Sequence, residues 1–194
     1  MYSDFAGLQH PTKNLGLRGG KSDLYEGGVR VPLMVRWPGN IPAGSVSDAI
    51  VNNIDLYPTL LELTGQPEPD NHIVDGESFA KVLTEGAEGT SRTSVSYFPY
   101  HGGGISVRDG DWKLIRRYTR RPDQYEGLVE LFNLKDDLGE SRNLAAEMPE
   151  KVAEYSKLID AHFAKTGGLP PTPNPDFQPR TVTSAKSKSP THGL

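Results

Sequence analysis

Residues 17–32 read LRGGKSDLYEGGVRVP, and this is the most informative segment of the chain. It holds four glycines and no apolar run before Val31, so it predicts a loop built from tight turns. Glycines let a backbone approach an anion closely, and Lys21 places an ammonium group among them. An isolated Gly-Gly-Lys turn is more often a plain surface loop, so the surrounding sequence has to decide between the two interpretations.

A nucleotide-binding loop is the nearest alternative for this stretch. Residues 16–22, GLRGGKS, look like the Gly-x-x-x-x-Gly-Lys-Ser signature. The spacing is wrong by one residue, because Leu15 stands where the first glycine belongs. No apolar strand precedes the loop either, so ATP or GTP binding is set aside.

The segment after the loop predicts a strand and then a helix. Residues 31–37 are apolar and rich in strand formers, and the following Pro-Gly pair predicts a turn, so we expect a strand in a buried sheet. The next apolar stripe predicts a helix of about ten residues that ends near Gly65. Either Asn53 or Asp55 supplies the capping oxygen in this prediction. A second, short helix is predicted at 78–83.

The second half of the chain predicts a small antiparallel sheet and one long helix. Asp109-Gly110 is a strong hairpin signal, since both residues tolerate positive φ. From Pro149, apolar residues recur every three or four positions up to the glycines at 167–168, and this stripe should cover one face of the sheet. The strands are predicted at residues 94–100, 105–108, 112–118 and 128–132.

The motif in residues 17–32 resembles the sulfatase family, in which an Arg-Gly-Gly-Lys turn is followed by Tyr-Glu-Gly-Gly-x-Arg-x-Pro. Further blocks follow in the family's order, and together the resemblance covers roughly residues 15–165. It implies an α/β fold, the C-terminal part of an alkaline-phosphatase-like sulfatase, that ends in a small antiparallel sheet packed against a helix. The further blocks are residues 54–65, 75–78, 107–115 and 130–137, the last leading to residues 143–145.

The implied division of the chain has three parts. Residues 1–90 would complete the catalytic α/β domain, residues 91–168 would form the sheet-and-helix subdomain, and residues 169–194 would be an extended or disordered tail. The tail is rich in proline, serine and threonine, which favours disorder, and its few charges would give little affinity for an acidic surface.

The resemblance implies that Lys21 binds the sulfate group of the substrate and assists catalysis. A sulfate ester is an anion, and negative charge builds on the leaving oxygen as the S–O bond breaks, so a fixed ammonium lowers the barrier. His101 precedes three glycines in a setting similar to a family loop that lines the substrate pocket. A role in substrate binding and a solvent-facing loop histidine are equally good interpretations of His101.

Residues 3–7, SDFAG, resemble the family's Ser-Asp-Asn-Gly-Gly, whose aspartate and asparagine bind a divalent cation, usually calcium. Asp4 keeps a carboxylate suited to a hard cation, but Phe5 replaces the amide oxygen with a ring that cannot coordinate. Asp4 is therefore a candidate metal ligand, with a helix cap or an exposed turn as the alternative. The acids Asp136, Asp137 and Glu140 lack EF-hand spacing and predict a solvated turn.

The nucleophile of the family has no counterpart in this sequence. Sulfatases use a formylglycine made from the cysteine or serine of a Cys/Ser-x-Pro/Ala-x-Arg motif, and the chain has no cysteine and no serine in that context. Two further metal-binding acids of the family also belong to its N-terminal portion. We therefore expect no sulfatase turnover from this chain by itself, and expect calcium only in the complete family enzyme.

Composition limits the partners without naming one. With 35% hydrophobic residues, 24% charged residues and a net charge of -4, nothing favours nucleic acid, and no apolar run is long enough to span a membrane. The first residues lack signal-peptide features, so an export signal would have to lie upstream, and localisation stays open. The sulfatase resemblance implies an aryl or carbohydrate sulfate ester as the partner, and self-association through exposed apolar surface is a second expectation.

Two other functions remain open at this point. A sibling enzyme of the same superfamily could use the same lysine turn on phosphate esters or phosphonates, since both anions accept the same hydrogen bonds. Alternatively, the chain is a sulfated-glycan-binding module without catalysis, or a truncated fragment with no function of its own.

Overall fold

The computed structural model describes residues 16–87, 92–98, 103–118, 129–172 and 175–176, and the statements below concern these residues. They form four α-helices, one short 3-10 helix and four β-strands. In chain order the elements are α1 (Glu26–Val29), the 3-10 helix (Asn53–Asp55), α2 (Leu56–Leu63), α3 (Ala80–Glu85), β1 (Thr93–Phe98), β2 (Gly104–Asp109), β3 (Trp112–Arg117), β4 (Val129–Asn133) and α4 (Pro149–Thr166).

The four strands form one antiparallel sheet in the order β1-β2-β3-β4. The predicted hairpin between β2 and β3 is confirmed, with Asp109 paired to Trp112 across a two-residue turn. Only Gly110 of this turn has a positive φ, 55°. The hairpin therefore depends on a glycine in its first turn position and not on the preceding aspartate.

Helix α4 covers one face of the sheet, as its apolar stripe predicts. Tyr155, Ile159 and Phe163 are buried on the helix, and burial of each such side chain contributes about 1.5–3 kcal/mol. The helix begins at Pro149 and is followed by Gly167 with φ 65°, the left-handed cap that glycine provides. The strand residues buried in the same cluster are Ile105, Val107, Leu114 and Leu131.

The opposite face of the sheet is covered by the glycine-rich loop. Leu24 of this loop is buried in a cluster with Ile115, Phe132 and Leu134, and Tyr25 packs against it. Because successive strand residues point to opposite faces, Leu114 faces α4 while Ile115 faces the loop. The sheet is thus held between α4 on one side and the loop with α1 on the other.

The strand predicted at residues 31–37 is wrong. The segment has no regular structure, and Val31 and Met34 are 77% and 90% exposed. A strand requires a neighbouring strand for its backbone hydrogen bonds, and the described part of the chain places none beside it. The apolar side chains of this segment are therefore exposed to solvent.

The helix predicted near Gly65 is confirmed as α2, and the short helix after it occurs at α3 instead of 78–83. The predicted cap of α2 is not found, because neither Asn53 nor Asp55 makes a side-chain capping hydrogen bond to this helix. The Asp55 carboxylate accepts backbone N–H groups of Asn52 (2.7 Å) and Glu77 (2.9 Å) and is paired with Arg92. Asp55 therefore joins the start of α2 to the chain before α3.

The predicted domain boundary near residue 90 falls at residues 88–91, outside the described ranges. The predicted tail is described only at 169–172 and 175–176, where it has no helix or strand. No helix in the described ranges is both long and apolar enough to cross a bilayer.

Candidate functional site

Lys21 lies in a tight turn with unusual backbone geometry. Gly19 has φ 73° and Ser22 has φ 72°, and the N–H of Asp23 donates to the carbonyl of Gly20 at 2.9 Å. A positive φ is unfavourable for a residue with a side chain such as serine. The turn therefore requires support from its surroundings, while the Lys21 side chain itself is exposed.

That support comes first from Gly27 and Gly28 of the second half of the motif. A Cβ on Gly27 would stand 2.5 Å from the carbonyl oxygens of both Arg18 and Gly19, and one on Gly28 would stand 2.2 Å from the Asp23 carbonyl. The Gly27 N–H donates to the Arg18 carbonyl at 2.8 Å. The two halves of the motif thus pack backbone against backbone, so any side chain at residue 27 or 28 would force them apart.

An aromatic and charged cluster holds the start of the turn. The guanidinium of Arg18 lies 3.9 Å from the Tyr25 ring centroid, and that of Arg117 lies 4.7 Å from it. The Tyr25 hydroxyl donates to the Glu130 carboxylate at 2.8 Å, and Arg117 donates to the same carboxylate at 3.2 Å. Burial, together with the hydrogen bond to Glu130, raises the pKa of Tyr25. Tyr25 therefore stays a neutral hydrogen-bond donor at physiological pH.

A fully buried ion cluster lies beneath α1. The Lys113 ammonium is 2.9 Å from a carboxylate oxygen of Glu26 and 2.9 Å from one of Glu140, and all three side chains are 0–1% exposed. Arg108 approaches the other Glu26 oxygen at 3.1 Å, and the more exposed Arg30 lies 3.8 Å from it, so three cations surround the two anions. Burial raises the pKa of Glu140, and the charge of Lys113 opposes this effect.

The prediction of a solvated turn is therefore wrong for Glu140. Glu140 has φ 51°, and the turn that contains it folds back under α1. There the Glu140 carboxylate accepts a hydrogen bond from the Glu26 N–H at 2.7 Å. Asp136 is exposed as expected. Asp137 stabilises the turn by accepting the N–H of Arg142 at 2.8 Å.

Lys21 differs from the cations around it. Arg18, Lys113 and Arg117 each lie within 4 Å of a carboxylate. No hydrogen bond or ion pair engages the Lys21 ammonium within the described ranges. The Lys21 ammonium is thus exposed on a turn whose backbone is fixed. Such an ammonium is chemically suited to bind an anion.

The other predicted site residues, Asp4 and His101, lie outside the described residues, so their roles stay predictions. Across the described ranges, no group of three His, Cys, Asp or Glu side chains is arranged to hold a metal ion. The carboxylates near the turn, such as Glu26 and Glu140, are occupied by lysine and arginine partners. This donor set does not fit a calcium ion.

Sequence reasoning missed the ion cluster under the turn. One signal was available: Lys113, Ile115 and Arg117 alternate along a predicted strand and so share the face away from α4. A lysine on that face needs an anionic partner if the face is covered. The sequence did not reveal which residues cover it, because Glu26 lies 87 positions away.

Comparison with known proteins agrees with this architecture. Residues 20–162 match the family described as N-sulphoglucosamine sulphohydrolase, C-terminal. A sulfatase of Formosa agariphila is 39% identical over 161 residues, covering 77% of this chain and 29% of that protein. An N-acetylgalactosamine-6-O-sulfatase of Bacteroides thetaiotaomicron is 30% identical over 152 residues, covering 74% and 29%.

Solved structures show the same relationship. A Bacteroides thetaiotaomicron protein, described in connection with the metabolism of multiple glycosaminoglycans, superposes with a TM-score of 0.62 at 26% identity. The match covers 74% of this chain and 31% of that one. A protein crystallised with a neocarrahexaose, 24% identical with a TM-score of 0.65, supports the fold alone.

The fold and the sequence together place this chain in the sulfatase class of proteins, where it matches the C-terminal portion. The chain belongs to the N-sulphoglucosamine sulphohydrolase C-terminal family. It spans about three tenths of the length of the two bacterial relatives described above, which are matched over 29% of their sequences.

Proposed function

We propose that this chain supplies the sulfate-binding lysine and part of the substrate pocket of a sulfuric ester hydrolase of the alkaline-phosphatase-like superfamily. Lys21 is the sulfate ligand and the catalytic cation in this proposal. The observation that carries it is the exposed Lys21 ammonium, without an anionic partner in the described ranges, on a turn locked by Gly27 and Gly28. An exposed ammonium on a fixed backbone turn, with no partner among the described residues, is available to an anionic substrate.

The turn alone does not make a strong site. A single exposed ion pair is worth about 0–1 kcal/mol in water, so Lys21 needs further contacts and exclusion of water to stabilise a transition state. In our proposal these come from other parts of the enzyme. Those parts would hold the formylglycine nucleophile and the calcium ion that the family resemblance implies.

The proposed substrate is the sulfate ester of a carbohydrate or of an aryl alcohol. The relatives named above include a protein described as an N-acetylgalactosamine-6-O-sulfatase, which supports the carbohydrate ester. We propose that His101 contacts the group that carries the sulfate, and that Asp4 is a metal ligand of the complete enzyme.

An NMR titration of the chain with 4-nitrophenyl sulfate tests the role of Lys21. We expect the side-chain signals of Lys21 to shift with a dissociation constant in about the millimolar range, because a lone cation gives little affinity. Lys21→Ala should abolish the saturable binding. Lys157→Ala is the matched control, since Lys157 is also exposed but lies on α4, which packs against the other face of the sheet.

Equal binding by the Lys21→Ala and Lys157→Ala variants would rule out the proposed site. The same titration with 4-nitrophenyl phosphate separates the sulfatase from a phosphate-ester sibling. The comparison is made at a pH where the phosphate and the sulfate ester carry the same charge. A phosphate-ester sibling would still bind the phosphate more tightly. We further infer that the purified chain has no turnover of 4-nitrophenyl sulfate. Calcium-dependent release of 4-nitrophenol by the pure chain would contradict that inference.

We also propose that the chain self-associates through its open apolar surface. This surface consists of residues 31–37 and the exposed side of α2, where Leu60 is 58% exposed. Exposed apolar side chains grouped along one segment and one helix are typical of an interaction site. In a complete enzyme the same surface would be available to the rest of the catalytic domain.

A further inference from the structure

Both ends of the Lys21 loop are fixed on one residue, Glu140. The Glu140 carbonyl accepts a hydrogen bond from the Arg18 guanidinium at 2.7 Å, and its carboxylate accepts the Glu26 N–H at 2.7 Å. Between these two points, the Gly27 N–H donates to the Arg18 carbonyl at 2.8 Å. Residues 18–27 therefore form a closed loop that contains Lys21 and is hydrogen-bonded at both ends to Glu140.

Glu140 itself has an unfavourable backbone conformation. Its φ of 51° lies in the left-handed region, which residues with a Cβ rarely adopt. Such a conformation persists only where the surroundings hold it, and it is found disproportionately at functional sites. Here the Lys113 ammonium, 2.9 Å from the carboxylate and itself 1% exposed, neutralises the buried charge. The residue is therefore held by its side chain in a place where glycine would be the unstrained choice.

We propose that Glu140 is a positioning residue for Lys21: its carboxylate, neutralised by Lys113, fixes the backbone of the lysine turn so that the ammonium is oriented before the sulfate arrives. This inference rests on the proposed function of Lys21. Groups that are ordered in advance lose less entropy on binding. A loosened turn would have to be ordered by the sulfate itself, which weakens binding without any lost contact to the anion.

The test compares Glu140→Gln with Glu147→Gln in the full chain. Glu147 is a suitable control because it is 55% exposed and, among the described residues, forms its ion pair with Arg142 at the surface. Amide hydrogen exchange followed by NMR reports the loop at Glu26 and Gly27 and the body of the fold at Ile159. Binding is measured by titration with 4-nitrophenyl sulfate, in the wild-type chain and in a Lys21→Ala background.

We expect Glu140→Gln to speed exchange at Glu26 and Gly27 by about tenfold to a hundredfold, the range for losing a charged hydrogen-bond acceptor. Exchange at Ile159 should stay unchanged. Affinity for 4-nitrophenyl sulfate should fall at least about threefold when Lys21 is present. The Lys21→Ala chain already lacks saturable binding, so adding Glu140→Gln to it should change nothing further, since the effect acts through Lys21. The Glu147→Gln variant should match the wild-type chain.

Two results would overturn the positioning role. One is loop exchange that stays unchanged or rises together with Ile159, which would indicate no anchoring or a purely global role. The other is a loosened loop with undiminished affinity. If Glu140→Gln does not fold, Glu140→Gly serves instead, because glycine accepts φ 51° and keeps the carbonyl that Arg18 uses. Failure of the sulfate site itself is seen separately, as unchanged affinity in Lys21→Ala alone, and the positioning role falls with it.

Discussion

Replacing Lys113 by methionine should destabilise the chain more than most single substitutions. The change removes the charge while keeping a side chain of similar length. It leaves the Glu26 carboxylate with Arg108 and Arg30, and the Glu140 carboxylate without an ion pair among the described residues. Breaking a buried ion pair by removing one partner costs about 3–5 kcal/mol. That is a large part of the roughly 5–15 kcal/mol that stabilises a typical domain.

Thermal and urea unfolding followed by circular dichroism measure this effect. At about 2–4 °C per kcal/mol for a chain of this size, the midpoint for Lys113→Met should fall by roughly 6–20 °C. Lys157→Met, at an exposed position on α4, should change the free energy of unfolding by less than about 0.5 kcal/mol. Adding Glu140→Gln to Lys113→Met should recover part of the loss, because one unpaired buried charge is removed.

A loss below about 1 kcal/mol for Lys113→Met would contradict the reasoning. It would mean that the carboxylates of Glu26 and Glu140 are solvated or otherwise satisfied, and that the buried cluster does not hold the loop on the sheet. Failure of the double variant to recover stability would contradict the assignment of the loss to unpaired charge and would indicate lost packing instead.

Three further outcomes are expected. The pKa of Glu140 is raised above its ordinary 4.5 in the folded chain. The stability of the wild-type chain relative to Glu140→Gln should therefore be greatest below pH 4.5 and decline as the pH rises through the raised pKa. Urea unfolding at several pH values measures this difference, and a difference that does not change with pH would refute the prediction. Gly27→Ala should destabilise by about 1–3 kcal/mol by overpacking, whereas Gly139→Ala, whose Cβ would have 3.4 Å of clearance, should not; equal unfolding midpoints would refute the backbone contact. Met34→Glu with Leu60→Glu should lower the sedimentation coefficient of any oligomer, and an unchanged distribution would rule out self-association through this surface.

Local patterns predicted the elements that the chain forms by itself. The stripe of α4 and the glycine of the β2–β3 hairpin depend on neighbours a few positions apart, so periodicity and turn chemistry were sufficient. The segment 31–37 shows the limit of this approach. Its composition predicts a strand, but strand formation depends on a partner strand, and none of the described residues provides one.

The candidate site divides in the same way. The glycine pattern around Lys21 predicted a tight turn and an available ammonium, both of which depend on adjacent residues. The burial of Glu140 was not predictable, because it arises from contact with Glu26, which is 114 positions away in sequence. Judged from its own neighbours, Glu140 follows two acids and a glycine, which is typical of a solvated turn.

The central claim is that the Lys21 turn holds a tetrahedral oxyanion, and the most direct measurement is a crystal of the chain soaked in selenate. Selenium scatters anomalously, so the position of the ion is measured without interpretation of weak density. The account predicts a selenate oxygen within about 2.7–3.2 Å of the Lys21 ammonium, and loss of that peak in Lys21→Ala crystals. Selenate bound elsewhere with the Lys21 ammonium left free, or a peak unchanged by Lys21→Ala, would contradict it.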